Sequence, residues 1–197
     1  MIRTLLTIAV LALSGAAAMA DIADDGTTSL ICVEAGTMAP EFSAVTAAGE
    51  PVDFTTITGE RGAVVVFSRS LDWCPYCKAQ ALELETVATE LAEAGWSMNV
   101  ITYDSPETLT DFATEHTLTY TLLSDTDSAM IDAFGLRNTR VTAGSRFDGI
   151  PNPAIIYIKS DGEVAGVQKE ERYQDRPETA GIVQLVNLIN RSAPAAP

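Results

Sequence analysis

The 197-residue sequence predicts an α/β fold, and three observations predict it. Ala63-Val64-Val65-Val66-Phe67 is a continuous apolar run rich in β-branched residues, the pattern of a central strand buried on both faces. An amphipathic helical pattern follows from Pro75 to Ala94, and strand-like and helix-like stretches keep alternating as far as Arg191. Where the first of these strands hands over to the helix, Ser68 to Cys77 sets two thiols three residues apart, Cys74 and Cys77.

From the start of the chain, Met1 to Ala20 has a basic residue at Arg3, an apolar core from Leu5 to Leu13 and the small-residue sequence Ala18-Met19-Ala20. Those are the three parts of a secretory signal peptide, with a core too short to span a bilayer as an ordinary helix. Cleavage after residue 20 leaves 177 residues, enough for one well-cored domain, exported to a periplasm where disulfides persist and not inserted in the membrane. Arg3 is the only charge removed, so the net charge moves from −15 to −16, which argues against nucleic acid and anionic membrane surfaces as partners. Asp21 to Thr37 reads as a loosely held lead-in. Its Cys32 is either a small packed side chain or a third redox residue.

The domain is expected over residues 38–191, opening on Ala39-Pro40-Glu41-Phe42, with a short strand at Pro51 to Phe54 and a turn at Gly59 to Gly62. After the buried strand, Pro75 suits only the first turn of a helix, because it donates no N–H and its φ is already helical. Ala79, Leu82, Val87, Leu91 and Ala94 mark its apolar face, and Gly95 stops it in the left-handed region. Ser97 to Tyr103 is the next strand, and Ser105 caps a helix that Pro106 opens and that ends near His116. The lone histidine there is an ordinary solvated or dipole-paired imidazole. Tyr120 to Leu123 forms a short strand, and Asp125 to Ser128 caps a brief helix closed by Gly135.

Leu136 to Gly149 is a basic connection whose Arg137, Arg140 and Arg146 belong to a solvated loop or steer an acidic partner. Pro151 and Pro153 stand before a buried strand ending at Ile158, and Asp161-Gly162 turns it into a hairpin through Val167. A final amphipathic helix runs from Pro177 to Arg191 on Ile182, Val183, Leu185, Val186, Leu188 and Ile189, and residues 192–197 read as a disordered tail.

The chemistry centres on the thiol pair. At a helix N-terminus the free N–H groups and the positive end of the dipole favour an anion, so Cys74 is expected to reach its thiolate easily and act as nucleophile. Cys77, one turn on and on the same face, is placed to resolve a mixed disulfide formed on Cys74. A closed zinc site needs four ligands, and only Cys32 and His116 remain, at unsuitable spacing, so neither metal nor cofactor is expected.

The order of elements, with Ala39-Pro40-Glu41-Phe42, the Val64 to Cys77 block, Leu122-Leu123-Ser124-Asp125, Ala133-Phe134-Gly135 and Pro153 to Ile158, resembles the thioredoxin superfamily over residues 38 to 190. It is closest to the branch of peroxiredoxins and peroxiredoxin-like redoxins, and Trp73-Cys74-Pro75-Tyr76-Cys77 is its most specific signal. The resemblance implies a thioredoxin-like fold, a central mixed β-sheet flanked by helices. It implies Cys74 and Cys77 as catalytic residues, and substrate binding by Trp73, Pro75, Tyr76, Asn152 and Pro153. Pro153 stands where the family carries a cis proline that receives an extended partner segment, with Pro151 the less favoured counterpart.

Departures from the family patterns matter for activity. Relative to Cys77, the peroxiredoxin Pro and Thr positions hold Ser70 and Cys74, and the peroxide-activating arginine falls at about Pro153. On that alignment Cys77 is the attacking thiol. The acids that handle protons in thioredoxin-type enzymes fall at Ser68 and Gln80, leaving Asp72 and Glu83 as nearby acids that are more simply solvated. The sequence therefore reads as an exported thiol-disulfide oxidoreductase whose partners are proteins carrying disulfides or dithiols, together with a thiol reductant. The alternatives are a thiol peroxidase acting on small peroxides and a metal or protein chaperone without turnover.

Overall fold

The computed structural model describes residues 33–192. The expected signal segment, Cys32 and residues 193–197 lie outside the described residues. Strands are β1 (Ala44–Thr46), β2 (Pro51–Val52), β3 (Gly62–Phe67), β4 (Trp96–Thr102), β5 (Thr121–Ser124), β6 (Ala154–Lys159) and β7 (Val164–Gln168). Helices are α1 (Phe54–Ile57), α2 (Pro75–Glu93), α3 (Pro106–His116), α4 (Ala129–Ala133) and α5 (Thr179–Ser192). One sheet has the order β2-β1-β5-β4-β3-β6-β7; β3, β4 and β5 run parallel, and β6 is antiparallel to β3 and β7. This is the mixed sheet expected of a thioredoxin-like fold.

Successive side chains of a strand point to opposite faces, and β3 shows the consequence. Val64 and Val66 join the core under α2, α3 and α5, with Leu84, Leu109 and Ile182; Ala63, Val65 and Phe67 join the core under α1 and α4, with Ile57 and Phe134. Both faces of the central strand are therefore covered. Gly62 is needed at the start of this strand because a Cβ there would lie 2.4 Å from the Ile158 carbonyl oxygen and 2.7 Å from the Trp96 ring.

Helix α2 presents Cys77, Ala81, Leu84, Val87, Ala88 and Leu91 to the core, a 3–4 residue spacing that makes one stripe. The expected stripe was partly out of phase: Ala79 and Leu82 are exposed, Leu82 by 42%, and the buried turn is held by Leu84. In α5 Leu188 is likewise 53% exposed, while Ile182, Val183 and Val186 are buried. The N-terminal lead-in is tied to the sheet from Gly36, whose N–H donates to the Val164 carbonyl at 2.8 Å, two residues ahead of the expected domain start.

Candidate functional site

The Cys74–Cys77 disulfide sits where β3 ends and α2 begins, its Cα atoms 5.2 Å apart. Cys74 is the N-cap of α2, with Pro75 following inside the first turn, and its Sγ accepts the Cys77 N–H at 3.3 Å. The cap position selects the residue: an extended backbone there aims the side chain back at the free N–H groups of the first turn. Both cysteines are only 1% exposed.

The loop leading to Cys74 is held by an acid that spacing alone did not single out. Asp104, just past β4, accepts from the Ser70 hydroxyl at 2.8 Å, the Leu71 N–H at 2.6 Å and the Thr102 hydroxyl at 2.9 Å. Ser70 Oγ in turn accepts from the Asp72 and Trp73 N–H groups at 3.0 and 3.3 Å. Burial raises the Asp104 pKa, and the three hydrogen bonds oppose that rise. Asp72 and Glu83, the nearby acids noted in the sequence, are exposed.

Two arginines meet at Tyr173, and one of them reaches the disulfide. Arg176, in the segment between β7 and α5, donates to Gln80 Oε1 at 2.9 Å, to the Asp175 carbonyl at 2.7 Å, to the Tyr173 carbonyl and, through Nη2, to Cys77 Sγ at 3.5 Å. Gln80, buried in α2, holds that guanidinium through its side-chain oxygen. Arg69 is 8% exposed, and its guanidinium lies over the Tyr173 ring, 3.7 Å from the centroid. Burial pushes the Arg69 guanidinium down to about 10; Tyr173 opposes this and the Arg176 charge adds to it. Neither arginine makes a salt bridge with a carboxylate of the described residues.

The expected substrate-binding residues divide. Trp73 flanks the disulfide, donating through Nε1 to the Tyr103 hydroxyl at 2.9 Å and packing on Phe147. Pro75 is exposed beside it, and Tyr76, 45% exposed, meets Tyr173 edge to face. Asn152 and Pro153 line a pocket with Gln80, Tyr173 and Arg176, the last of which reaches Cys77 Sγ. The expectation of a cis Pro153 is corrected: no described peptide bond is cis, at Pro153 or at Pro151. The reason is local. The Asn152 N–H donates to the Leu136 carbonyl at 2.7 Å and Pro151 bridges to Arg137, so the chain is already laid out extended as it reaches β6. A trans proline at the head of a strand loses no ladder bond.

Of the three loop arginines, Arg137 is paired with Asp132 and Asp148, and Arg146 lies over the Phe147 ring. His116 closes α3 against Phe112. Arg69, Tyr173, Arg176 and Asp104 are the site residues that sequence spacing missed. Arg69 alone left a trace, as a basic residue directly between a buried strand and the thiols of a strongly acidic chain.

The family model and the curated relatives agree on one group. The model of the AhpC/TSA family matches residues 35–167. Peroxiredoxin Bcp of Escherichia coli K12 is 34% identical over 135 residues, covering 68% of this chain and 85% of that protein. Among solved structures, peroxidoxin BcpB of Mycobacterium tuberculosis superposes with a TM-score of 0.69 at 20% identity, over 82% of this chain and 99% of the other. A bacterioferritin comigratory protein of Xanthomonas campestris, described for its alkyl peroxide reduction activity, gives 0.62 at 16% identity, over 76% and 92%. The two structural likenesses support the fold.

Proposed function

This chain belongs to the AhpC/TSA family of thiol oxidoreductases, and from that premise we propose that it is a thiol-dependent peroxidase in which Cys77 attacks and Cys74 resolves. The observation that carries the reading is the Arg176 guanidinium on Cys77 Sγ, 3.5 Å away, in no salt bridge of its own among the described residues while the neighbouring Asp175 carboxylate is bonded to Arg172. A fixed cation beside a sulfur favours its thiolate and can polarise a peroxide drawn up to it. Arg176 thus fills the role of the family arginine that is absent at Pro153.

In the proposed cycle the Cys77 thiolate attacks one oxygen of a hydroperoxide. An S–O bond forms, the O–O bond breaks, and the alcohol or water leaves after taking up a proton. Cys77 is oxidised to a sulfenic acid and the peroxide is reduced. The Cys74 thiolate then attacks the sulfenic sulfur, closing the disulfide and expelling hydroxide, which takes up a proton and leaves as water. Two thiols of a reductant reopen it and leave as their own disulfide. We read residues 1–20 as an export signal, which would place this cycle outside the cytoplasm.

The test is steady consumption of hydrogen peroxide and tert-butyl hydroperoxide with dithiothreitol as reductant. One peroxide should disappear per dithiol oxidised. Arg176→Gln is expected to slow oxidation of the reduced protein about tenfold and to move its pH profile upward, as loss of one charge-assisted contact would. No turnover with either peroxide would discard the peroxidase reading. A second reading, disulfide exchange with partner proteins, draws on the Cys77 N–H bond to Cys74 Sγ at 3.3 Å, which favours Cys74 as nucleophile. Mixed disulfides trapped on Cys74 in a Cys77→Ala variant would support it.

A further inference from the structure

We infer that the disulfide form binds the carboxylate of a small thiol on Arg69, so that the reductant of this protein is a low-molecular-mass anionic thiol. The inference rests on the thiol-driven half of the cycle proposed above. Four buried side-chain polar atoms of the described residues lack a hydrogen-bond partner, and three of them, Ser68 Oγ, Arg69 Nε and Asn152 Oδ1, belong to the two segments that leave the β3–β6 pair next to each other. The register of β3 against β6 sets Phe67 opposite Ala154, so the two chains leave the sheet side by side at Ser68–Arg69 and Asn152–Pro153. Such a cluster is costly within a fold unless a ligand meets it, because a buried polar group without a partner loses its hydration for nothing.

The chemistry of the cluster selects an oxygen anion. Arg69 only donates and Ser68 can donate, so these two groups suit an oxygen anion. The Arg69 guanidinium has Tyr173 on one face and forms no hydrogen bond with any described residue. A second cation, Arg176, acts on it through space, and Tyr173 opposes that. In the reduced protein a thiolate can answer these charges; in the disulfide form both sulfurs are neutral. The form that meets the reductant is therefore the one in which the buried Arg69 and the half-buried Arg176 face no sulfur anion.

Size follows from exposure and charge. Arg69 is 8% exposed, so a compact group reaches it and a folded surface does not. An acidic protein would also meet a chain of net charge −15, whereas a small monoanion meets that field only over its own few contacts. In the reaction the small thiolate attacks one sulfur of the Cys74–Cys77 bond and releases the other as thiolate. A second equivalent attacks the mixed disulfide, so that two thiols become one disulfide and the protein gains two electrons.

The experiment uses the full oxidised chain and no peroxide. Opening of the disulfide by 3-mercaptopropionate is compared with opening by its methyl ester, with alkylation quench and mass spectrometry. The acid is expected to react about tenfold faster, against the repulsion of the acidic chain, and unreactive propionate should slow it. In Arg69→Gln the acid-to-ester ratio should fall to about one. Equal rates for acid and ester in the wild type, a ratio that survives Arg69→Gln, or no slowing by propionate would each overturn the inference. Because the assay starts from the disulfide, a failed peroxidase test leaves its outcome readable.

Discussion

A Cys77→Ser variant is expected to consume no peroxide above the uncatalysed rate, whereas Cys74→Ser performs one stoichiometric oxidation and stops. The asymmetry follows from the roles of the two sulfurs. A serine at 77 offers no sulfur beside the Arg176 guanidinium, which lies 3.5 Å from Cys77 Sγ in the wild type. A serine at 74 still accepts the Cys77 N–H as an N-cap, so the helix mouth is preserved while the resolving thiol is lost. The sulfenic acid then lacks its neighbouring thiol and should be captured on Cys77 by dimedone, seen as a mass increment on the peptide that contains it. Dimedone capture on Cys74 in the Cys77→Ser protein would invert the assignment. It would mean that the N-cap bond to Cys74 Sγ outweighs the cation on Cys77.

Why some of this was legible in the sequence and some not is a matter of distance along the chain. The strand at 63–67, the start of α2 at Pro75 and the Ser105–Pro106 start of α3 are local events, set by β-branched runs, a fixed proline φ and a capping hydroxyl. They appear as expected, and with them the two cysteines at the helix mouth. The phase of the α2 stripe did not, because it is set by the sheet and α5 packed against it; Leu82 faces solvent while Gln80, polar and buried at 5%, turns inward to hold Arg176. Ninety-nine residues separate Arg176 from Cys77, and no local pattern announces their contact. Pro153 shows the opposite limit. A motif position carried over from related folds suggested a cis bond, and the hydrogen bond from Asn152 to Leu136 makes a trans chain sufficient.

Replacing Asp104 by alanine should destabilise the protein by about 3 kcal/mol, the largest loss we expect from a residue that touches neither sulfur. Three donors, the Ser70 and Thr102 hydroxyls and the Leu71 N–H, converge on this carboxylate away from solvent. Leaving a buried donor unpaired costs roughly 1–3 kcal/mol, and the two hydroxyls can rotate to recover part of it. Asp104→Asn should lose less than half as much, since the carboxamide oxygen can keep the Leu71 bond and its NH₂ can point at Ser70 Oγ. The two variants also separate hydrogen bonding from charge. Burial raises the Asp104 pKa above its ordinary 3.8, so the folded state holds the proton more tightly than the unfolded chain does. The stability this supplies is complete below pH 3.8 and is lost as pH rises through the higher folded value. Urea unfolding between pH 3 and pH 7, on the wild type and Asp104→Asn, should therefore show the wild type's relative stability falling as pH rises, then levelling. A difference that instead grew with pH would mean that the hydrogen bonds outweigh burial and that the carboxylate is held ionised. The Ser70–Trp73 loop, and with it the approach to Cys74, would then be pinned by a charge.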